Sequence, residues 1–429
     1  MEKARIGFAK ACITPPLGTQ LAGHFALDRR AQGVHDDLFT RVVVLEFNQE
    51  NYCIIQNDLI GLDYDFVESY RPQLVELGFK EEHIFIGCTH THSGPSGLTK
   101  RDQNAPEHIK AARGAYNEDL VQQYQQTIKA TVAEALTNKD YCSMRYGTTE
   151  VRDVCSNRNF KEKPGDPLML ALEFIREDGQ RILIYDFSCH PTVVNHGNYQ
   201  ITADFPHGVA KLTEDTDRSL VLFFNGSSGD VSTRFTRREA SFAEIDRIGA
   251  VLLEHIETAL AGSVSEDITE VAVWSASFPL AYREVESVEA AQAKYDRYEK
   301  ELNEALARGE KNKRTYESFV EGARFNLFRS QSFTGGDHTD IKFKLLKLND
   351  LTFVFVPSEL FSDLSNPLKE KYAGKLFFVT HFGGSNGYIA DKASYDADTY
   401  ETQTSNFARG QGEEFIAAVE KALLEFWGK

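Results

Sequence analysis

No stretch of the chain approaches the roughly 18 consecutive apolar residues that a membrane-crossing helix needs, and the opening MEKARIGFAK lacks the apolar centre of a signal peptide. The expectation is a cytoplasmic protein with no stable membrane association. Cysteine is scarce: Cys12, Cys53, Cys88, Cys142, Cys155 and Cys189 are scattered, mostly inside apolar runs, with no CxxC pair. That distribution argues against a disulfide framework or a cysteine-bound zinc and leaves reduced core residues. Positive charge is in deficit, with 47 Lys plus Arg against 64 Asp plus Glu and a net charge of -17. Such a surface repels polyanions, so nucleic acid and anionic membrane are excluded as partners. Neither GxGxxG nor GxxxxGK[ST] is present, so nothing supports a nucleotide cofactor. Nor is there a Pro/Ser-rich linker, a low-complexity tract or a repeat at which to divide the chain. One domain over residues 1–429 is the simplest account.

What the chain does have is an ordinary globular composition, 41% apolar and 26% charged. Short runs rich in β-branched and aromatic residues recur, among them RVVVLEF, YCIIQND, HIFIGCT, LMLALEF, RILIYDFSC, LVLFFNG, TFVFVPS and KLFFVTHF. Each is bounded by turn residues and reads as a buried strand. Between them the spacing predicts helices over Asp65–Leu77, Glu118–Leu136, Phe242–Leu260 and Glu413–Phe426. The alternation implies α/β layers. Residues 285–321 differ, being highly charged and helix-favouring, and read as an exposed helical excursion, with a lid or partner-binding role as the other reading.

Several strand ends carry chemistry. IFIGCTHTHSGP places His90 and His92 one residue apart; on a strand they would share a face and could meet one metal or one substrate. RILIYDFSCH ends in His190, with His196 and Asp204 following, and Asp204 is a candidate to orient the imidazole. LVLFFNGSSGDVS runs from a strand into small residues, then Asp230 and Ser232. TFVFVPSELF brings Glu359, which is either the first-turn residue of a helix capped by Ser358 or the carboxylate of a His/His/Glu metal set. GGSNG at Gly383–Gly387 fits a nucleophile elbow around Ser385, but the matching catalytic order needs a later histidine and the last one is His381. That reading is discarded.

Taken together, these motifs resemble the neutral/alkaline, non-lysosomal ceramidase family. THTHSGP at Thr89–Pro95 is similar to its first zinc-histidine motif and GDVS at Gly229–Ser232 to its serine signature. Weaker likenesses follow in order along the chain: IGFAKACITPPLG, QGVHDDLFTRVVVLE, SNRNF, the strand ending in His190, VPSE and GYIADKASYDADTYE. The resemblance implies a large α/β domain of mixed sheets flanked by helices. It implies zinc held by His90, His190, Glu359 and Tyr388, and substrate met by His92, Arg158, Tyr400 and Ser232. Ser232 is followed by Thr233 and Arg234 where the family's motif continues Pro-Asn. The expectation is also a chain without the family's secretory signal and immunoglobulin-like C-terminal domain.

The function expected from these residues is zinc-dependent hydrolysis of a linear amide. Zinc-activated water is the attacking group, Glu359 or His92 the proton shuttle, and Tyr388 and Arg158 the oxyanion partners. Ser232 as a covalent nucleophile is the competing scheme. The acidic composition points to a small N-acyl substrate with a cationic amine portion. Ceramide itself, an ester at the same zinc, and a non-catalytic protein with a structural metal are the alternatives; self-association into a homo-oligomer is left open.

Overall fold

The computed structural model describes residues 3–24, 28–100, 110, 114–214, 216–310, 313–333 and 336–428. Its main sheet has eight strands: β1 (Arg5–Cys12), β2 (Phe39–Phe47), β3 (Glu50–Asn57), β4 (Ile84–Cys88), β5 (Asp140–Glu150), β6 (Leu168–Arg176), β7 (Arg181–Phe187) and β8 (Leu220–Asn225). Their order is β8-β7-β6-β5-β1-β2-β3-β4. A second sheet places β9 (Val271–Ala281), β10 (His338–Leu348), β11 (Leu351–Val356) and β12 (Leu376–Thr380) side by side in that order. The helices are α1 (Tyr64–Val75), α2 (Glu118–Thr137), α3 (Phe205–Thr213), α4 (Phe242–Leu260), α5 (Val288–Ala307), α6 (Lys313–Ser332), α7 (Ser362–Lys371), α8 (Lys392–Asp396), α9 (Tyr400–Thr404) and α10 (Gln411–Trp427).

The β-branched runs have no polar face because both faces of the main sheet are covered. One face packs on the second sheet, where Val43, Ile54, Leu172, Ile184 and Phe224 meet Leu346, Phe353, Phe355 and Val379. The other face takes α1 and α2 through Val42, Val44, Ile55, Phe66 and Val132, and α3 and α4 through Leu183, Phe223, Val209 and Leu252. The outer face of the second sheet is closed by α7 and α10 through Val354, Phe378, Leu368 and Phe415. The result is four layers, helix, sheet, sheet, helix, as the alternation of patterns implies.

The helices begin where side chains can take their orphan N–H groups. Asp63 accepts from Phe66, Asn117 from Leu120 and Ser241 from Glu244. No helix among the described residues is long and apolar enough to cross a membrane. Five cysteines are buried and Cys12 is exposed, all as free thiols. The charged excursion forms an α5–α6 hairpin, and only its first helix is largely exposed. In α6, Val320, Ala323 and Asn326 are buried and Phe325 and Phe328 line a cavity, because the helix walls the mouth of the site rather than projecting from it.

Parallel pairing decides where chemistry collects. The two sheets are mostly antiparallel, yet β3 with β4, β7 with β8, and β11 with β12 run parallel. Parallel neighbours deliver their carboxyl ends to one edge, where open α/β sheets bind ligands. The carboxyl ends of these pairs carry His90, His190 and Glu359.

The two sheets also touch through backbone at that edge. Gly87 in β4 bridges Phe382, Cys88 N–H donates to His381 O at 3.2 Å, and Gly383 N–H donates to Ile86 O at 2.8 Å. A Cβ at residue 87 would fall inside the Phe382 ring. Gly87→Ala is therefore expected to cost about 1–3 kcal/mol by overpacking, measured by denaturant unfolding; unchanged stability would show that the sheets are not clamped there.

Candidate functional site

His90 does not sit on the pleat of β4. The strand ends at Cys88, and His90 has φ of 72°, a left-handed conformation that non-glycine residues rarely adopt. The turn, rather than strand alternation, brings His90 and His92 together, so the expectation of a shared face holds for a different reason. His190 is fully buried, and its backbone pairs with Ser232 in a parallel bridge.

Each imidazole is oriented by main chain. Nδ1 of His90 lies 2.6 Å from Ile60 O, Nδ1 of His190 lies 2.6 Å from Ser228 O, and Nδ1 of His92 lies 2.8 Å from Gly23 O. A carbonyl oxygen only accepts, so each Nδ1 carries the proton and each Nε2 presents a lone pair. Asp204, the expected orienting carboxylate for His190, does not perform that task. It accepts from Val193, Val194 and Phe205 N–H and starts α3, because the Ser228 carbonyl already occupies the imidazole.

The lone pairs converge. The ring nitrogens of His90, His92 and His190 lie within 4.8 Å of one another, with Nε2 of His90 and His92 3.2 Å apart. The Glu359 Oε2 atom lies 3.2 Å from His190 Nε2 and 3.4 Å from His90 Nε2. Two facing lone pairs and a carboxylate repel one another unless a cation or proton lies among them, so the cluster is built to hold one. Burial, reinforced by His90, His24 and His190, keeps His92 neutral far below the ordinary histidine range, and burial with Arg158 takes His190 down to about 3.

Glu359 is not in a helix behind a Ser358 cap. Glu359–Leu360 forms a short parallel pairing with Tyr388–Ile389, and α7 starts only at Ser362. That pairing sets Tyr388 beside Glu359. Arg158 donates from Nη2 to the Tyr388 hydroxyl at 3.1 Å and to Gly229 O at 2.7 Å, and its Nε faces Glu401 at 2.7 Å. Burial and Glu359 push the Tyr388 phenol well above its usual value, and burial with Glu321 does the same to Tyr400. The Tyr400 ring stands 6.3 Å from that of Tyr388.

A cavity of about 740 Å³ opens onto this cluster, lined by His90, His92, Arg158, Ser232, Glu359, Tyr388 and Tyr400. All eight residues that the resemblance implies therefore meet at one place, His190 from beneath the floor. Ser385 and His196 also reach the cavity wall. Sequence reasoning missed three neighbours. His381 stacks on His90 with centroids 3.9 Å apart, His24 stands 5.5 Å from His92, and Glu401 pairs with Arg158. KLFFVTHF ends a strand in histidine just as RILIYDFSCH does, so His381 had a legible signal; His24 and Glu401 had none.

The GDVS turn is pressed against the Glu359 segment. A Cβ on Gly229 would meet Glu359 O at 2.7 Å, the Phe361 ring at 2.8 Å and Leu360 O at 3.0 Å. Gly229→Ala is expected to displace the Glu359 backbone and weaken divalent-metal retention by about tenfold or more, the range seen when groups supporting metal ligands are lost, read by competition with a chelator. Retention equal to wild type would show that the turn does not position Glu359.

Comparison with known proteins is consistent with this geometry. Residues 5–235, more than half of the chain, match the family described as neutral/alkaline non-lysosomal ceramidase, N-terminal. The neutral ceramidase of Pseudomonas aeruginosa is 24% identical over 227 residues, which is 47% of this chain and 32% of that protein. The match thus spans about a third of that relative's length. The crystal structure of neutral ceramidase from Pseudomonas aeruginosa superposes over 97% of this chain and 73% of its own with a TM-score of 0.73 at 17% identity. A structure described as ceramidase complexed with C2 superposes equally well, TM-score 0.73 at 16% identity, over 97% of this chain and 74% of its own. The two likenesses establish a shared fold of mixed sheets flanked by helices, and the matched family model is decisive: the chain belongs to the neutral/alkaline non-lysosomal ceramidase family.

Proposed function

We propose that the protein is a zinc-dependent hydrolase that cleaves the linear amide bond of an N-acyl substrate. The observation that carries the reading is the spacing of His90 Nε2, His190 Nε2 and Glu359 Oε2 at 3.2 and 3.4 Å. Donors bound to zinc at 2.0–2.1 Å in a tetrahedron stand about 3.3 Å apart, so these three donors fit the ion, and Tyr388, paired through backbone with Glu359, is the fourth member that the family resemblance supplies. A cysteine-free set that faces a cavity is the composition of a catalytic rather than a structural centre. When bound, zinc supplies hydroxide near neutral pH and polarises the substrate carbonyl. The relative named neutral ceramidase supports amide cleavage as the reaction class.

The remaining roles follow from what each side chain can do. Arg158, held charged by Glu401, offers a fixed cation beside the Tyr388 hydroxyl, the arrangement needed where negative charge develops on a carbonyl oxygen. His92 is neutral, with its Nε2 lone pair turned toward the cluster, and can accept a proton and return it to the departing amine. Tyr400 closes the wall against the substrate. Ser232 Oγ accepts the Arg234 N–H at 3.2 Å, and no imidazole among the described residues contacts it, which favours a binding role over a nucleophilic one.

Elemental analysis of wild type, His90→Ala and His190→Ala, each checked for folding, tests the centre. About one zinc per chain in wild type, lost in both folded variants, is expected; a wild type that takes up no zinc on reconstitution would end the proposal. The attacking group is tested separately. Ser232→Ala is expected to retain measurable turnover of the best N-acyl substrate, whereas turnover at background would assign bond formation to Ser232 Oγ.

A further inference from the structure

The cavity opposes the charge of the molecule that contains it. The chain carries -17, yet six cations and four carboxylates line this one space. Most of the cations are spoken for. Arg158 faces Glu401 at 2.7 Å, Arg314 faces Glu321 at 2.6 Å, Lys313 approaches Glu317 at 3.9 Å, and buried Arg329 donates to the carbonyls of Gln403 and Ser405. Arg234 and Arg237 differ. Among the described residues neither has a carboxylate within 4.0 Å. Each spends one N–H on a carbonyl, Arg234 on Arg158 O at 3.0 Å and Arg237 on Thr192 O at 2.7 Å. A guanidinium has five such donors.

Both side chains are half-buried on the cavity wall, two and five residues beyond Ser232. Holding them there is costly: burial and the like charges of Arg158, Arg314 and Arg237 draw the Arg234 guanidinium down to about 10, where it is still a cation at neutral pH. Glu401 acts on Arg234, and Asp204 and Glu244 on Arg237, only from beyond ion-pair contact; like charges gathered in a half-buried space with no carboxylate against them destabilise the free protein, and an anionic ligand in contact with both reduces that cost. This wall favours an anionic portion over the cationic amine portion expected from net charge. Arg234 also occupies the position where the resembling motif has a neutral asparagine, so the charge belongs to this chain.

We infer that the substrate presents an anionic oxygen group, a carboxylate or a phosphate, to Arg234 and Arg237 while its amide lies at the His90–His190–Glu359 cluster. The inference rests on the amide-hydrolase reading for the reaction and on the cavity alone for the binding. Guanidinium forks match both oxyacids, and a hydrogen bond to a charged partner is among the stronger ones available.

Matched substrates test it. An N-acylglycine is compared with the N-acylglycinamide of the same acyl chain, and an N-acyl phosphoethanolamine with its N-acylethanolamine, so that the carboxylate and phosphate arms separate. Wild type is expected to favour one anionic member by about tenfold or more in kcat/KM. The double variant Arg234→Gln/Arg237→Gln is expected to bring that ratio close to one, and Arg234→Lys/Arg237→Lys to keep a preference for charge. Equal efficiency toward charged and neutral members in wild type, or a preference unchanged in the glutamine variant, overturns the inference. A second readout stands apart from turnover: the same N-acylglycine and N-acyl phosphoethanolamine are used to raise the melting temperature. If no amide is hydrolysed but one anion stabilises wild type and not the folded glutamine variant, the reaction reading fails and the anion site stands. No stabilisation by either anion, together with no charge preference, removes the site.

Discussion

The buried carboxylate of Asp230 is the tie on which the site depends. Its oxygens accept from Ser362 N–H at 2.6 Å, Ser362 Oγ at 2.9 Å and Asn157 Nδ2 at 2.8 Å, while its own carbonyl accepts from Arg158 N–H at 2.7 Å. Three segments far apart in sequence are thereby fixed to one point: the turn that carries Ser232, the segment that carries Asn157 and Arg158, and the segment that carries Glu359. No cation pairs with this carboxylate among the described residues. Burial pushes its pKa up to about 7 against the pull of its hydrogen bonds. Such a group is tolerated inside a protein because several donors satisfy it, and the directional demand of those donors is what makes the geometry unique.

From that tie the imidazoles follow. Each imidazole is held in one tautomer and one rotation, and here Ile60, Ser228 and Gly23 do it with carbonyl oxygens rather than carboxylates. The choice has an electrostatic consequence. A carboxylate behind each ring would add negative charge to a floor that already contains Glu359, whereas a carbonyl fixes the proton at Nδ1 without it. The left-handed backbone at His90 is the local strain accepted to aim the ring, and the packing of Phe382 on Gly87 holds the surrounding strands while it does so.

Much of this was legible in the sequence, and for identifiable reasons. Buried parallel strands write themselves as unbroken apolar runs, so β4, β7, β8, β11 and β12 could be read, and residues at their ends stood out because a histidine or glutamate there has no packing purpose. Phe242–Leu260 was found to the residue because Ser241 and Glu244 mark its start. Tyr388 and Tyr400 came only through family resemblance, since a tyrosine after a glycine-rich turn or at the start of a short helix has no distinguishing pattern. What failed was inference about partners across the fold. Asp204 looked like the companion of His190 by nearness in sequence, but a strand end turns the chain away, and the Ser228 carbonyl 38 residues on arrived first. Of the two readings that the sequence left for Glu359, the helical one fails because the pairing with Tyr388–Ile389 delays the helix start from Ser358 to Ser362.

Net charge and the charge of the cavity are different quantities. A total of -17 describes the field far from the molecule, which solvent ions screen over about 8 Å at physiological ionic strength. Inside a half-buried cavity the effective dielectric is lower and screening is weak, so the charges that count are those on its walls. There α6 contributes Arg314 with its own neutralising Glu321, a pair that packs the entrance without changing its sign, while the segment after Ser232 contributes Arg234 and Arg237, which have no carboxylate within 4.0 Å among the described residues. The acidic exterior and the basic interior are therefore separate properties of one chain. The first sets the field far from the molecule, and only the second bears on what can rest against the histidines.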